Sequence, residues 1–317
     1  MTLDFQSALV TGGAGFIGSH LVDALLEGGC AVTVVDNLAT GHRENLAHVM
    51  DRIDFREGDI RDMDGMVAAC EGRDVVFHEA AVVSVPMTVD DPVGSALVND
   101  IGTLQVLEAA RRGGVRRVVL ASSSAVYGDD PALPKREDMA PLPKSPYAVQ
   151  KLTGEFHAAI YRELYGLETV CLRYFNVYGP RQDPSSPYSG VISIFMDKAF
   201  EGVAPRIHGD GEQSRDFVFV ADVVRANLLA ASAKAASGER FNVGIGEAIT
   251  VNRLWGNVSR MAGLELSPEY GPPRPGDIRH SLSSIERARS ILDFRPSVSF
   301  EDGLSRTLEW YRSRRKL

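Results

Sequence analysis

Cysteine is scarce in this 317-residue chain, which has only Cys30, Cys70 and Cys171. An odd, scattered set argues against a disulfide framework, and no two of the three stand at metal-ligand spacing. The seven histidines form no H-x-x-x-H pair and have no C-x-x-C companion, so no metal site is expected. Long apolar runs are missing too, and none approaches the ~20 residues a membrane helix needs. The opening Met-Thr-Leu-Asp-Phe-Gln carries neither a basic nor an apolar targeting region. Positive charge is also short. Lys and Arg number 34 against 42 Asp and Glu, a net −8 that gives poor footing for nonspecific nucleic-acid binding. The basic end, Arg312 to Lys316, reads as cations in the last turn of a final helix. The expectation is a protein of the reducing cytoplasm with no nucleic-acid or membrane partner. At 44% hydrophobic and 24% charged residues it is neither disordered nor fibrous, and it is long enough for one large domain or two moderate ones.

What is present is alternation. Ser7–Val10 reads as a strand and Phe16–Glu27 as a helix, with Phe16, Ile17, Leu21, Ala24 and Leu25 at helical spacing. Further strands are expected at Ala31–Val35, Ile53–Phe55, Val75–Phe77, Val115–Ala121 and Thr169–Leu172, with helices over Val98–Ala110 and Lys151–Tyr165. Strands apolar on both faces and alternating with helices predict a parallel sheet covered on both sides. After Tyr174 the rhythm is mixed. A proline-rich loop at Pro180, Pro184 and Pro187 precedes a helix over Val191–Phe200. Short strands at Val218–Val220 and Phe241–Val243 flank a helix at Asp222–Ala233, and Thr250 and Ser299 suit N-caps. The expected fold is α/β, with a Rossmann doubly wound parallel sheet in residues 1–173 and a smaller mixed α/β domain in 174–317. The chain is allowed a later return to the first unit at about 217–244.

Gly12-Gly13-Ala14-Gly15-Phe16-Ile17-Gly18 closes the first strand and opens the first helix. In such a loop Gly12 permits the tight turn, Gly15 lets backbone approach a pyrophosphate, and Gly18 lets helix and strand pack closely. The helix N-terminus offers N–H groups to phosphate. Asp36, ending the second strand, can accept from both ribose hydroxyls and would repel a 2′-phosphate, which favours NAD over NADP. Arg43 is the nearby residue that would suit a 2′-phosphate instead.

Ser122-Ser123-Ser124 lies at the C-terminal end of the fifth strand, the edge where parallel sheets place ligands. Tyr147 and Lys151 stand one helical turn apart and share a face, and Pro146 suits an early helical position. A phenol with a free pKa near ~10 is a poor base at neutral pH. A nearby ammonium, together with a positive nicotinamide, would lower it enough for proton abstraction. Tyr-x-x-x-Lys alone is common by chance. Behind a glycine loop, an aspartate and a serine cluster in this order, it points to chemistry.

Further motifs follow in order: Asp36-Asn37, Gly58-Asp59-Ile60, His78-Glu79-Ala80-Ala81, Leu172 to Arg181, Ser214-Arg215-Asp216 and Arg274-Pro275-Gly276-Asp277. Together these resemble the extended short-chain dehydrogenase/reductase family over nearly the whole chain, specifically its UDP-glucose and UDP-N-acetylglucosamine 4-epimerases. The resemblance implies an NAD that is reduced and reoxidised within one turnover. Tyr147 would take the proton of the 4-hydroxyl as hydride leaves carbon 4, and hydride would return to the opposite face of the 4-keto sugar. Ser123, Tyr147 and Lys151 would be catalytic, with Lys151 also binding the nicotinamide ribose. Asp59 and Ile60 would meet adenine, and Asn99 would lie on the nicotinamide side. Phe16, Ile17, Asn37, Ala80, Ala81 and Tyr174 would complete the cofactor contacts. On the sugar side the resemblance implies Ser84, Ser123, Ser124, Asn176 and Gln182, with Arg215 and Arg274 clamping the two phosphates beside Asp277.

Related 4,6-dehydratases carry Asp-Glu where this chain has Ser124-Ala125, and related decarboxylases use a Glu at the position of Ala125, so both reactions lack their acids here. The family's substrate-size gatekeeper falls on Ser281, where a small side chain makes room for an N-acetyl group without excluding plain hexoses. One alternative is a UDP-glucuronate 4-epimerase or another nucleotide-sugar enzyme of the family. The other is a dinucleotide-sensing module without chemistry, which loss of Tyr147, Lys151 or the serines would have favoured. His78 is expected to pack or hydrogen-bond near the cofactor rather than to move protons. If the family pattern holds, the helices around Val98–Ala110 and Lys151–Tyr165 would form a homodimer.

Overall fold

The computed structural model describes residues 3–183, 190–273 and 278–315. Arg274, Asp277, Pro184 and Pro187 therefore lie outside the described residues. In the first half the order is β1 (Ser7–Thr11), α1 (Phe16–Glu27), β2 (Ala31–Asp36), β3 (Asp54–Glu57), α2 (Met63–Cys70), β4 (Val75–His78), α3 (Val85–Asp90), α4 (Pro92–Ala96), a π-helical turn at Leu97–Gly102, α5 (Thr103–Arg112), β5 (Arg117–Ser123), α6 (Pro146–Tyr165) and β6 (Glu168–Tyr174). Next come β7 (Asn176–Tyr178), α7 (Val191–Glu201), β8 (Arg206–His208), β9 (Ser214–Arg215), β10 (Phe217–Phe219) and α8 (Val220–Ser232). The chain ends with β11 (Arg240–Val243), β12 (Ile249–Thr250), α9 (Val251–Met261), β13 (Glu269–Gly271), α10 (Glu286–Leu292) and α11 (Phe300–Arg315).

Seven strands form one parallel sheet in the order β11-β6-β5-β4-β1-β2-β3. This is the doubly wound Rossmann arrangement. The order reverses between β1 and β4, so a crevice opens at the C-terminal ends of these strands. The strands are apolar on both faces because both faces are covered. Val10, Phe77 and Val119 pack with Leu21 and Leu25 of α1 and Val223 of α8. Leu9, Val76 and Val118 pack with Met66 of α2, Val106 of α5 and Tyr161 of α6. A second core, built by Phe195, Trp255, Phe217, Phe300 and Leu304, lies behind the small β7–β10 pair. The chain returns to the sheet through β11, where Phe241 pairs with Leu172. Phe217–Phe219 instead pairs with Asn176–Tyr178 outside that sheet.

Local chemistry sets the bounds of three elements that the sequence outlined. The helical pattern of Lys151–Tyr165 extends back to Pro146, the early helical position that proline suits, because Ser145 Oγ caps the helix by accepting from Ala148 N at 3.2 Å. The fifth strand runs Arg117–Ser123 rather than from Val115. Its buried arginine donates to Glu168 and to the carbonyls of Ala230, Ala231 and Ala233 at the end of α8, a pairing that the charge alone did not reveal. The helix expected over Val98–Ala110 opens with the π turn, a feature frequent at functional sites. Thr250 and Ser299 do cap α9 and α11, accepting from Arg253 N and Asp302 N at 3.1 Å each.

Candidate active site

The glycine loop crosses the crevice directly after β1. Gly12 has φ +70°, and a Cβ there would lie 2.7 Å from Ala80 N. A Cβ on Gly18 would collide with the Gly12 carbonyl. Only glycine therefore lets α1 start this close to β1 and β4. Gly15 caps α1 without a side chain, and the first-turn N–H groups of Phe16, Ile17 and Gly18 have no intrahelical acceptor. That cradle fits a pyrophosphate. Asp36 is buried at the end of β2, accepting from Ala14 N at 2.9 Å and Leu38 N at 2.8 Å, while burial raises its pKa. Arg43 is drawn away to Glu57 and stacks over Phe55 at 4.8 Å from the ring centroid. Asn37 donates to Asp59 at 3.0 Å, and Asp59 is held well below the usual carboxylate range by Arg61. Ile60 is buried.

Asn99, inside the π turn, is buried and clamps the segment after β4. Its amide accepts from Val82 N at 2.8 Å, donates to Val82 O at 2.9 Å and donates to Gln150 Oε1 at 2.7 Å. This clamp holds Ala80, Ala81 and Ser84 along the crevice, where Ser84 Oγ caps α3. His78 is fully engaged by Thr11 (2.8 Å) and Thr103 (3.0 Å), and burial lowers its pKa to about 3, so it stays neutral.

Ser123 ends β5, and its Oγ accepts from Ala125 N at 3.1 Å. Ser124 follows it in a 3₁₀ turn. Tyr147 and Lys151 face the same strand end from α6. The Tyr147 phenol is within hydrogen-bonding reach of Ser123. Lys151 Nζ donates to Ala121 O at 2.9 Å and lies 5.9 Å from the Tyr147 ring centroid. The structure brings Ser123, Tyr147 and Lys151 together. The expected lowering of the Tyr147 pKa is not present in the free protein. Burial raises it above its ordinary 10, and the Glu79 carboxylate raises it further against the Ser123 hydrogen bond. Burial also lowers Lys151 to about 8, so its ammonium is a weaker helper than the spacing implied. Tyr174, at the end of β6, donates to Glu79 at 2.7 Å. Sequence reasoning assigned no role to Glu79.

On the other wall, Asn176 opens β7 and Gln182 Nε2 donates to Val177 O at 3.3 Å. Arg215 and Ser281 are neighbours. Ser281 N donates to Ser214 O at 3.0 Å, Ser214 N donates to Arg279 O at 2.9 Å, and Arg215 Nη1 donates to Ser214 O at 2.9 Å. Among the described residues there is no cluster of three or more metal-binding side chains and no helix long and apolar enough to cross a membrane.

A doubly wound sheet with a phosphate-cradling glycine loop and a Ser–Tyr–Lys set at its switch point defines a dinucleotide-dependent α/β enzyme of the extended short-chain dehydrogenase/reductase type. The chain belongs to the NAD dependent epimerase/dehydratase family, whose model matches residues 8–244. It is 44% identical over 311 residues to the UDP-glucose 4-epimerase of Mycolicibacterium smegmatis, covering 96% of this chain and 98% of that one. Its fold matches the UDP-glucose 4-epimerase of Thermotoga maritima, solved with UDP-glucose, at TM-score 0.93 and 42% identity over 98% of this chain and 99% of that one. It also matches the UDP-N-acetylglucosamine 4-epimerase of Methanobrevibacter ruminantium, solved with UDP-N-acetylmuramic acid, at TM-score 0.94 and 40% identity over 99% and 100%.

Proposed function

We propose that this protein is an NAD-dependent 4-epimerase of UDP-hexoses. The observation that carries the reading is the half-buried Ser123–Tyr147–Lys151 set beside a glycine cradle, with Ser124-Ala125 in place of the acids a dehydratase needs. The names of its relatives point the same way. When bound, NAD supplies a reversible hydride acceptor for carbon 4 of the sugar. Gly12, Gly15 and the first turn of α1 would hold its phosphates, and Asp36 and Asn37 its adenosine ribose. Asp59, Ile60, Ala80, Ala81, Asn99 and Tyr174 would line the rest of that site.

The protein's own chemistry is proton transfer at the Tyr147 oxygen. Ser123 would orient the 4-hydroxyl, and Tyr147 would take its proton and later return it to the same oxygen of the 4-keto sugar. In the free protein Tyr147 sits too high to be a good base. The positive charge of the oxidised nicotinamide, added beside the Lys151 ammonium, would bring it down on binding. Asn176, Gln182, Ser84 and Ser124 would contact the nucleotide sugar, and Arg215 would take a phosphate together with Arg274. We read residues 174–317, apart from the strand that returns to the sheet, as the half that closes over this substrate. Ser281, whose N–H donates to Ser214 O beside Arg215, is small enough that it would leave space for an N-acetyl group, so UDP-GlcNAc and UDP-GalNAc are the first substrates to try.

We place the enzyme in the cytoplasm, which suits its three free, buried cysteines. We also propose a homodimer, built on the exposed apolar face of α6. The test is to incubate purified protein separately with UDP-GlcNAc, UDP-glucose and UDP-glucuronate and resolve the products. The expected result is conversion of UDP-GlcNAc, and more slowly of UDP-glucose, to the 4-epimer. Epimerisation of UDP-glucuronate alone would shift the reading to the uronate enzymes, and no epimer from any of the three would overturn it.

A further inference from the structure

One acid in the crevice has no part in the roles above. Glu79 directly follows β4. His78 pairs opposite Leu120, so the register sets Glu79 beside Ala121, whose carbonyl receives Lys151 Nζ at 2.9 Å. Side chains alternate along a strand. His78 is bound by Thr11 and Thr103 on the α5 side, whereas Glu79 turns towards α8. There Tyr174 donates to Glu79 Oε1 at 2.7 Å, and Asn227 of α8 donates to Tyr174 at 2.7 Å. Among the described residues no cation comes within ion-pair distance of Glu79. The groups facing it are Lys151 and Tyr147 from α6, Tyr174 from β6 and, through Tyr174, Asn227 from α8.

We propose that Glu79, held by the Tyr174–Asn227 hydrogen-bond chain, is a positioning residue that supplies the countercharge to Lys151 and thereby sets the pH at which Tyr147 exchanges its proton. The inference rests on Tyr147 being the base. Its electrical sense is definite. Burial pushes the Glu79 carboxyl up to about 7 and Lys151 down to about 8, so both titrate near neutrality. An ionised Glu79 favours the ammonium on Lys151 and opposes a phenolate on Tyr147. A protonated Glu79 removes both effects.

The test is Glu79→Gln, which keeps an acceptor for Tyr174 and nearly the same volume but removes the charge. In the NAD-loaded enzyme both limbs of the pH profile of kcat/KM move to lower pH by roughly one unit, because Tyr147 and Lys151 each lose a nearby negative charge. A second readout needs no turnover. The folded pKa of Glu79, about 7, lies above its free value of 4.5, so the folded wild type keeps a proton that the unfolded chain releases. This group's contribution to stability is full below about 4.5 and is lost as pH rises through about 7. The wild-type Tm therefore falls relative to that of the variant across this window. An unmoved profile with parallel Tm curves overturns the proposal and leaves Glu79 a hydrogen-bonding strut. If Glu79→Gln does not fold, Tyr174→Phe carries the test. Losing that donor keeps Glu79 protonated to higher pH and moves the profile in the same direction, and no movement overturns the proposal. Tyr147→Phe separates the two readings. Full turnover in that variant sinks the base assignment, whereas an inactive Tyr147→Phe with an unmoved Glu79→Gln profile sinks only the role of Glu79.

Discussion

Tyr147 combines two environments that pull against each other. Burial among Glu79, Ser123 and the strand end raises its pKa, while the proposed reaction needs its proton to leave near neutral pH. In the proposed mechanism the positive nicotinamide would resolve this conflict on entering the crevice. Tyr147→Phe removes the proton carrier and leaves the glycine cradle intact. Turnover of UDP-GlcNAc is expected to fall roughly 10²- to 10⁴-fold, with NAD still retained after gel filtration. Wild-type rates in that variant would remove Tyr147 from the mechanism. The sequence showed this residue because its spacing to Lys151 and its place behind the serine cluster form a pattern. It did not show Glu79. A glutamate just past a strand looks like a solvated loop residue, and only the fold brings Tyr174 and Asn227 to it from positions far along the chain. For His78 the sequence left packing and hydrogen bonding open, and only the fold brings Thr11 and Thr103 to its ring.

At the scale of the element, α6 determines where the phenol and the ammonium stand. Its inner face is pinned to the sheet by Glu155, which accepts from Arg173 Nε at 2.8 Å, from Arg173 Nη2 at 2.7 Å and from Ser122 Oγ at 2.5 Å. Arg173 stacks over Tyr127 at 4.8 Å from the ring centroid. The guanidinium is fully buried, so removing its partner leaves an uncompensated charge in the interior. Glu155→Ala is expected to cost about 3–5 kcal/mol in urea unfolding. Pairing Glu155→Leu with Arg173→Met should recover much of that loss, because both buried charges then leave together. A loss under about 1 kcal/mol for Glu155→Ala would show that water or a neighbour takes over the pairing. Helix and strand identities were legible from periodicity, since these elements bury one or two apolar faces. Their ends were less so. The start of α6 was marked by Pro146, whereas the π turn at Asn99 depended on tertiary contacts with Val82 and Gln150.

At the scale of the whole molecule, the net charge of −8 sits oddly with two anionic ligands. Attraction has to be local, from backbone N–H groups at the start of α1, Lys151 and Arg215, within an acidic surface. The same surface is interrupted by apolar side chains gathered on neighbouring elements. Val149, Phe156, Ile160 and Leu164 project from the outer face of α6, with Phe156 56% and Leu164 64% exposed. Val93, Leu97 and Ile101 continue the apolar surface on α4 and the π turn, which pack beside α6. A contiguous apolar patch of this kind marks an interaction surface, and one helix pair meeting its own copy about a twofold axis would bury it in a four-helix arrangement. The covered helices are those carrying Tyr147, Lys151 and Asn99, so association would also steady the active site. Sedimentation of the wild type at micromolar concentration is expected to show a dimer, and Phe156→Glu a monomer, since a buried carboxylate without a partner opposes the interface. The monomer should have a lower Tm that no longer rises with protein concentration, because association no longer stabilises the folded state. A wild type that sediments as a monomer would assign this apolar face to something other than a second copy of the chain.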